Sequence, residues 1–384
     1  MRFLHTADWH VGRTIRGRSR VDEFAAALST VVEVAEAEGV DALLLAGDIY
    51  DQRSVSPDAD KLIFETLLRL GERGVGVVAI PGNHDSSLRL GAFAPLLERI
   101  GTHVVPKVRR PDEGAIVTLA SRDGTEAALF ACVPFTSPRR FSDAAGLFDD
   151  MASGFVNYDE NMGKLLAAYE ARFRADTVNI VIGHMFISGA QPGGSEREIT
   201  IGSDYAISPQ RLPATASYVA LGHIHKAQKV PGAPGEAHYS GSLLQLDFGE
   251  VGQQKSLVVV EASAGKPARV HEVALDVGRR LVDVEATPEV LDDIAEQVDD
   301  AFLRVHLTLD RPIPGIADLV REKLPNTLDV RLVLPEIEGE PAPASLQGLS
   351  PKEQFLSYYG DTHGSQPSGE LTNAFDRIYE EVTF

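Results

Sequence analysis

The chain has 384 residues, of which 43% are hydrophobic and 24% charged, the balance of a globular protein large enough for two or three domains. A single cysteine, Cys132, excludes an intrachain disulfide framework, and no apolar stretch is long enough to cross a membrane. With no signal-peptide pattern either, a cytoplasmic protein is expected. A formal charge of −20 weighs against a nucleic-acid partner, because phosphate contacts need cations.

From residue 1 to about 105 the pattern alternates strand and helix. Strand 2–7 leads to an amphipathic helix at 22–38, carried by Phe24, Leu28, Val31, Val32 and Ala35. Strand 42–46 precedes a helix at 58–72 that starts after Ser56-Pro57, and strand 76–80 precedes a helix at 89–99. This is the order of a parallel sheet covered by helices. Two strands joined at Arg122-Asp123-Gly124 fill 115–135, and a helix is predicted at 160–174. Strands 178–182 and 218–221 flank a Gly/Ser/Pro-rich loop, 187–212, read as functional or mobile. Residues 228–275 are strand-rich.

After Arg279-Arg280 the pattern restarts as strand 281–285, helix 288–297, strand 302–308, helix 314–323 and strand 328–333, a small α+β unit. A linker at 335–343 is followed by short helices near 351–359 and 369–382, with Phe355, Leu356, Tyr358, Tyr359, Leu371, Phe375, Ile378, Tyr379 and Val382 as their apolar residues. The expected architecture is α/β: two sheets packed together with helices outside, then the small unit and a helical tail. The divisions fall at 1–278, 279–336 and 337–384.

Charge is unevenly spread. Residues 11–21 carry Arg13, Arg16, Arg18 and Arg20 and no acid, while Asp283 to Asp300 is densely acidic. Lys107, Arg109, Arg110, Arg139 and Arg140 are further basic spots. Solvated surface is the plain reading of each run, but the arginine run lies directly beside the candidate site. Arg13 and Arg53 are candidates for phosphate contact.

Five strand-like runs each end in metal-ligand residues: Asp8-Trp9-His10, Gly47-Asp48, Gly82-Asn83-His84-Asp85, Gly183-His184 and Gly222-His223-Ile224-His225. Ligands gather at such strand ends in open α/β sheets. Asp8 and His10 are two apart, so in an extended segment they share a face, as do His223 and His225. Imidazole, carboxylate and amide oxygen form a mixed N/O set that suits Mn, Fe or Zn, and the lack of sulfur disfavours a structural zinc. Seven ligands are too many for one ion. If Asp48 bridges, two ions about 3.5–4 Å apart are accommodated, the spacing of two-metal hydrolytic sites. His103, His238, His271, His306 and His363 are read as ordinary residues, and His5 as a neighbour of the site.

These blocks resemble those of the calcineurin-like metallophosphoesterase superfamily, over about residues 1–250. Met1 to Gly12, Gly47-Asp48-Ile49-Tyr50-Asp51, Ile80 to Asp85 and Tyr239-Ser240-Gly241-Ser242 are similar to its DNA repair exonuclease branch. The resemblance implies that Asp8, His10, His225 and Asp48 hold one ion and that Asn83, His184, His223 and Asp48 hold the other, most readily Mn²⁺. It implies that His84 acts on the scissile phosphate, with Asp85 placed to fix its tautomer. It further implies ATP-dependent exonuclease action on duplex DNA ends and endonuclease action on single strands or hairpins. ATP binding would come from a partner, SbcC, in an assembly with two copies of each protein, since no phosphate-binding Gly-x-x-x-x-Gly-Lys-Ser/Thr loop occurs here. Dimerisation would use the helices at 58–72 and 89–99, the small unit would cap the site and contact DNA, and the C-terminal helices would dock on the partner. Two readings stay open beside it: a phosphoesterase of small molecules, and a non-catalytic scaffold for DNA ends.

Overall fold

The alternating strand and helix signals build two sheets that share one buried interface. The computed structural model describes residues 1–137, 158–196, 201, 205–295, 297–335 and 351–383. In the first sheet β1 (Arg2–Thr6), β2 (Ala42–Ala46), β3 (Gly76–Ile80) and the short β4 (Thr102–Val104) run parallel. The second sheet begins with β5 (Ile116–Ala120) antiparallel to β6 (Ala127–Val133). It continues with β7 (Val178–His184), while β8 (Phe186–Ile187) and β9 (Ala206–Ile207) form a separate two-stranded ladder. β10 (Tyr218–Gly222) lies parallel to β7 and to β12 (Ala237–Tyr239), which β11 (Gln228–Lys229) pairs antiparallel. β13 (Lys255–Glu261) then returns to the first sheet antiparallel to β1, with β14 (Arg269–Leu275) at its edge.

Side-chain alternation along each strand produces a four-layer stack. On β2, Leu43 and Leu45 face outward onto α1 (Val21–Ala37) and α2 (Pro57–Glu72), whose Phe24, Leu28, Ile63 and Leu67 meet them. Leu44 and Ala46 face the other way, into an intersheet layer with Phe130, Ile180, Ile182 and Ala220. The outer face of the second sheet, with Val181, Val219 and Leu221, takes Leu165, Leu166 and Tyr169 of α4 (Tyr158–Glu170). The first sheet's third helix, α3 (Ser87–Leu97), is capped by Ser86, whose hydroxyl accepts from the Arg89 N–H. Ser56 caps α2 in the same way, with Pro57 at the first helical position.

His5 does not belong to the metal cluster. Its Nδ1 meets the Tyr218 hydroxyl at 2.9 Å and its Nε2 the Leu221 carbonyl at 3.1 Å, so it bridges β1 to β10 across the intersheet layer. Burial drives its ring toward the neutral form, with a pKa lowered to about 3.

Beyond β14 lies a sheet of β15 (Leu281–Ala286), β16 (Phe302–Thr308) and β17 (Thr327–Val333). α5 (Leu291–Ala295) and α6 (Ile316–Lys323) make its crossovers, and all three strands are parallel. The unit expected as α+β is therefore built on a wholly parallel sheet, because a helix between successive strands carries the chain back. It has its own core around Leu303, Val305, Leu307 and Val320. Ile15, Phe248, Leu281 and Phe302 form a second, smaller cluster at its junction with the sandwich. α7 (Pro351–His363) and α8 (Gly369–Thr383) pack as a pair through stacked Phe355 and Phe375, 4.4 Å between ring centres, and a Lys352–Asp376 ion pair. Residues 336–350, most of the expected linker, and the Val382 side chain lie outside the described residues.

Two expectations change in detail. The loop 187–212 contains the β8–β9 ladder, too short to read from periodicity, and the helix expected at 288–297 is a 3₁₀ turn at Pro288–Val290 followed by α5. Phe3 and Phe130 meet edge-to-face at 5.7 Å in the intersheet layer, and both are fully buried. Phe130→Ala should lower unfolding free energy by about 3–5 kcal/mol, read as a reduced urea midpoint at constant slope.

Candidate metal centre

The five motif segments converge at one rim of the sandwich. Asp8 and His10 follow β1, Asp48 follows β2, Asn83 and His84 follow β3, His184 ends β7, and His223 and His225 follow β10. Both sheets contribute, so their packing brings the seven proposed ligands together. All seven are at most 3% exposed.

Strand alternation is not what aligns Asp8 with His10. Both lie in the left-handed region, at φ 50° and 47°, as does Asp48 at φ 48°, and His223 has φ 102°. The chain leaves each strand in a sharp turn that throws the side chain inward, a conformation costly for non-glycine residues and typical of functional sites. Backbone bonds hold these turns: Asp8 N–H to the Gly47 carbonyl at 3.0 Å and His10 N–H to the Asp48 carbonyl at 3.0 Å. The His223 N–H donates to both oxygens of Asp8 at 3.0 Å.

Glycines permit the close approach. A Cβ on Gly82 would sit 2.1 Å from Asp48 Oδ1, and one on Gly47, at φ 92°, would sit 2.2 Å from His184 Nδ1.

The donor atoms form two groups. In one, His10 Nε2 and His225 Nε2 are 3.1 Å apart, beside Asp8. In the other, Asn83 Oδ1 lies 3.0 Å from both His184 Nε2 and His223 Nδ1, which are 3.3 Å from each other. Asp48 Oδ2 is 3.5 Å from His10 Nε2 and 3.5 Å from His184 Nε2, midway between the groups. Ligand atoms around one ion at about 2.1 Å are separated by roughly 3.0–3.4 Å in octahedral or tetrahedral geometry. The observed spacings match.

Tautomers point the same way. His184 Nδ1 faces the Ala46 carbonyl at 2.8 Å, which can only accept, so that nitrogen carries the proton. Nε2 is then the nitrogen beside the Asn83 oxygen, placed to ligate a cation once the ring is neutral. The residues present therefore fit two divalent ions sharing Asp48.

The electrostatics are those of charge crowded into a dry space. Burial pushes Asp8 up to about 6. Burial also opposes the charge of Asp48, but the imidazoles of His184, His84 and His10 overcome it and hold that carboxyl well below its usual range. His184 rises to about 9: burial opposes its charged form, and the carboxylates of Asp48 and Asp8 outweigh it. Burial keeps His10 toward the neutral form.

His84 lies against the first group, with a ring nitrogen within ligand-cluster distance of His10 and Asp48. Its ring meets that of His10 edge-on at 4.5 Å, and its N–H donates to Asp48 Oδ1 at 2.8 Å. Its Nδ1 donates to the Asp51 carbonyl at 2.7 Å. That bond corrects the expectation for Asp85, whose carboxylate accepts the N–H groups of Ile49, Tyr50 and Gly82 at 2.9–3.1 Å. Asp85 thus ties the turn after β3 to the turn after β2, and the Asp51 carbonyl sets the His84 tautomer. Burial and then the Asp48 charge push Asp85 up to about 7, against those three bonds.

The arginine run also departs from expectation. Arg13 bonds Asp51 at 3.2 Å and the Leu246 carbonyl at 3.3 Å. Arg16 lies 3.6 Å from Asp247 and 4.0 Å from Asp329, and Arg18 reaches the Pro325 carbonyl. Arg20, 2% exposed, pairs with Glu23 and the Gln245 carbonyl. Arg16 and Arg18 thus knit the sandwich to the small unit, while Arg13 and Arg20 bond within the sandwich. Charge counting could not show this, because the acids beside Arg13 and Arg16 come from remote segments. Arg139 and Arg140 lie outside the described residues.

Residues without a sequence signal also reach the site. His225 Nδ1 lies 3.1 Å from Glu250 and 2.6 Å from the Ser195 hydroxyl. Glu196 accepts the His225 N–H at 2.8 Å, which gives the loop after β8 a place beside the metal centre.

The first 227 residues match the family model described as calcineurin-like phosphoesterase. Along most of its length the chain is similar to proteins named as the SbcD component of the nuclease SbcCD. That of Bacillus subtilis (strain 168) is 31% identical, with 98% of this chain and 97% of the relative covered. That of Rhodobacter capsulatus is 32% identical, with 91% of each covered. That of Escherichia coli (strain K12) is 31% identical, with 87% of this chain and 84% of the relative covered.

Since Asp48 serves both donor groups and Asn83 one, Mn²⁺ titration calorimetry should distinguish them. Asp48→Asn should weaken both binding events, by more than the roughly 10–100-fold expected on losing an outer partner, and Asn83→Ala should weaken only one.

Proposed function

Because the chain belongs to the calcineurin-like phosphoesterases, within the SbcD family of nucleases, we propose that it cleaves DNA at this metal centre as an ATP-dependent exonuclease on duplex ends and an endonuclease on single strands and hairpins. The chain is a hydrolytic, metal-dependent nuclease by that membership. The observation that carries the finer reading is the pair of donor groups sharing Asp48 with His84 alongside.

In this reading Asp8, His10, His225 and Asp48 hold one ion, and Asn83, His184, His223 and Asp48 hold the other; the mixed N/O set suits Mn, Fe or Zn, and the family resemblance favours Mn²⁺. Two bound divalent ions would polarise the phosphate oxygens and acidify a water for in-line attack. His84 orients the scissile phosphate. With one proton committed from Nδ1 to the Asp51 carbonyl, Nε2 carries a proton only in the imidazolium form; in that form it donates to the phosphate and passes this proton to the leaving oxygen, returning to the neutral ring. Asp85 acts at one remove, by holding the two turns that carry Asp48 and His84.

The protein would work with SbcC as the ATP-binding partner, two copies of each, in DNA end processing for repair, recombination and replication. α7 and α8, with Tyr358 and Ile378 exposed, are the segment assigned to that partner by a helix-in-groove contact. Exposed Leu68, Leu88 and Leu96 on α2 and α3 support a homodimer through those helices. The unit 279–336 caps the sandwich 1–278, with 337–384 as linker and tail. No helix among the described residues is long and apolar enough to cross a membrane, and a cytoplasmic location is proposed.

One observation favours phosphodiesters smaller than DNA: the net charge is −20, and the four arginines of the run after His10 are engaged within the chain. Cleavage of a DNA hairpin and of a linear duplex with Mn²⁺, with and without SbcC and ATP, decides between the two. Wild type should cut both, and His84→Gln should be slower by about 10²–10⁴-fold with Mn²⁺ binding retained. Hydrolysis of a small phosphodiester alone, with no DNA cut under any condition, would establish the alternative.

A further inference from the structure

Glu250 is fully buried, and nothing in the seven-ligand set explains why a carboxylate stands there. It lies on a 3₁₀ turn, Phe248–Glu250, between β12 and β13. Its Oε2 accepts the Leu246 N–H at 3.0 Å and pairs with Lys255 Nζ at 2.7 Å. Its Oε1 faces His225 Nδ1 at 3.1 Å and accepts the Ser195 hydroxyl. Lys255, itself 6% exposed, also donates to the His225 carbonyl at 2.9 Å. A buried ion pair is a poor source of stability, since desolvation offsets much of the attraction. Here both members of the pair contact His225 instead, one at the ring and one at the backbone.

The geometry fixes a proton. Ser195 Oγ donates to Glu250, so at His225 Nδ1 the serine oxygen can only accept, as does the carboxylate. The proton is therefore on Nδ1, and the Nε2 lone pair turns toward His10 Nε2, 3.1 Å away. The anchor is rigid. Phe248, two residues before Glu250, is packed with Ile15, Leu281 and Phe302 under the small unit, and Arg304 lies over its ring at 5.0 Å. The Ser195 side is fixed too, because Glu196 accepts the N–H groups of Gly193, Gly194 and Ser195 at 2.6–3.1 Å.

We propose that Glu250, with Ser195 and Lys255, is a positioning residue that holds the ring of His225 with Nε2 aimed at the Asp8–His10 ion, so that this ion's affinity depends on a turn seated beneath the capping unit. The proposal rests on the ligand reading above, and the other ion, at Asn83, His184 and His223, is its internal control. Outer partners of a ligating histidine typically contribute 10–100-fold in metal affinity.

The test is Mn²⁺ titration calorimetry on the full chain, with thermal melts of the metal-free protein, for wild type, His225→Ala, Glu250→Ala and Ser195→Ala. Ser195→Ala leaves the Glu250–Lys255 pair in place and keeps the test valid should Glu250→Ala fail to fold. Wild type should bind two ions, and His225→Ala should lose one. Glu250→Ala and Ser195→Ala should weaken that same event by about 10–100-fold and leave the other within about twofold. A purely structural role would lower the melting temperature and weaken both events alike, and that result overturns the proposal, as does unchanged binding in the Ser195 variant. Two ions still bound by His225→Ala would overturn the ligand reading and this proposal together.

Discussion

Everything at this site depends on placing like charges and lone pairs closer together than water-free protein tolerates. Asp8 and Asp48 are both buried, and four imidazoles and an amide oxygen crowd the same space. Burial alone would neutralise such carboxylates. Divalent cations at the two donor groups would relieve the conflict. The strained backbone at Asp8, His10, Asp48 and His223 is a second cost of the same convergence.

The sandwich meets those costs from outside the centre. Intersheet packing of Phe3, Phe130, Leu44 and Ile180 holds the two rims in register. Asp85 then ties two of the turns through three backbone N–H groups. Such a carboxylate does more for the geometry than a contact to one ring would, because it fixes main chain that carries Asp48, Asn83 and His84 together. The Ala46 and Asp51 carbonyls set the tautomers of His184 and His84. Each of these rings thus has one nitrogen committed to the scaffold and the other left for chemistry.

The small unit is joined to the sandwich by polar and apolar contacts together. Arg16 and Arg18 reach residues of β17 and the turn before it, and Phe248 and Ile15 pack on Leu281 and Phe302. Those contacts start from the segment that follows His10 and from the turn that carries Glu250. Basic residues beside a phosphate-handling site are thereby engaged in assembling its surroundings.

The gathering of the site's side chains at one rim was legible in the sequence because each stands at the end of a strand-like run. Asp8, His10, Asp48, Asn83, His184, His223 and His225 each follow an apolar run with a local signature, and the alternation of strands and helices placed those runs in parallel sheets. The elements themselves were readable where periodicity spans several residues, as in α1 and α2, and not where two residues suffice, as in β8 and β9. Tertiary structure alone decided what partners each charge. That Asp85 serves backbone, that Arg13 to Arg20 are engaged, and that Glu250, 25 residues beyond His225, meets its ring follow from contacts between segments remote in the chain. No local pattern encodes such contacts. Nor could spacing foresee that Asp8 and His10 align through left-handed turns, since two residues apart reads as an extended strand until the fold bends the chain at the rim.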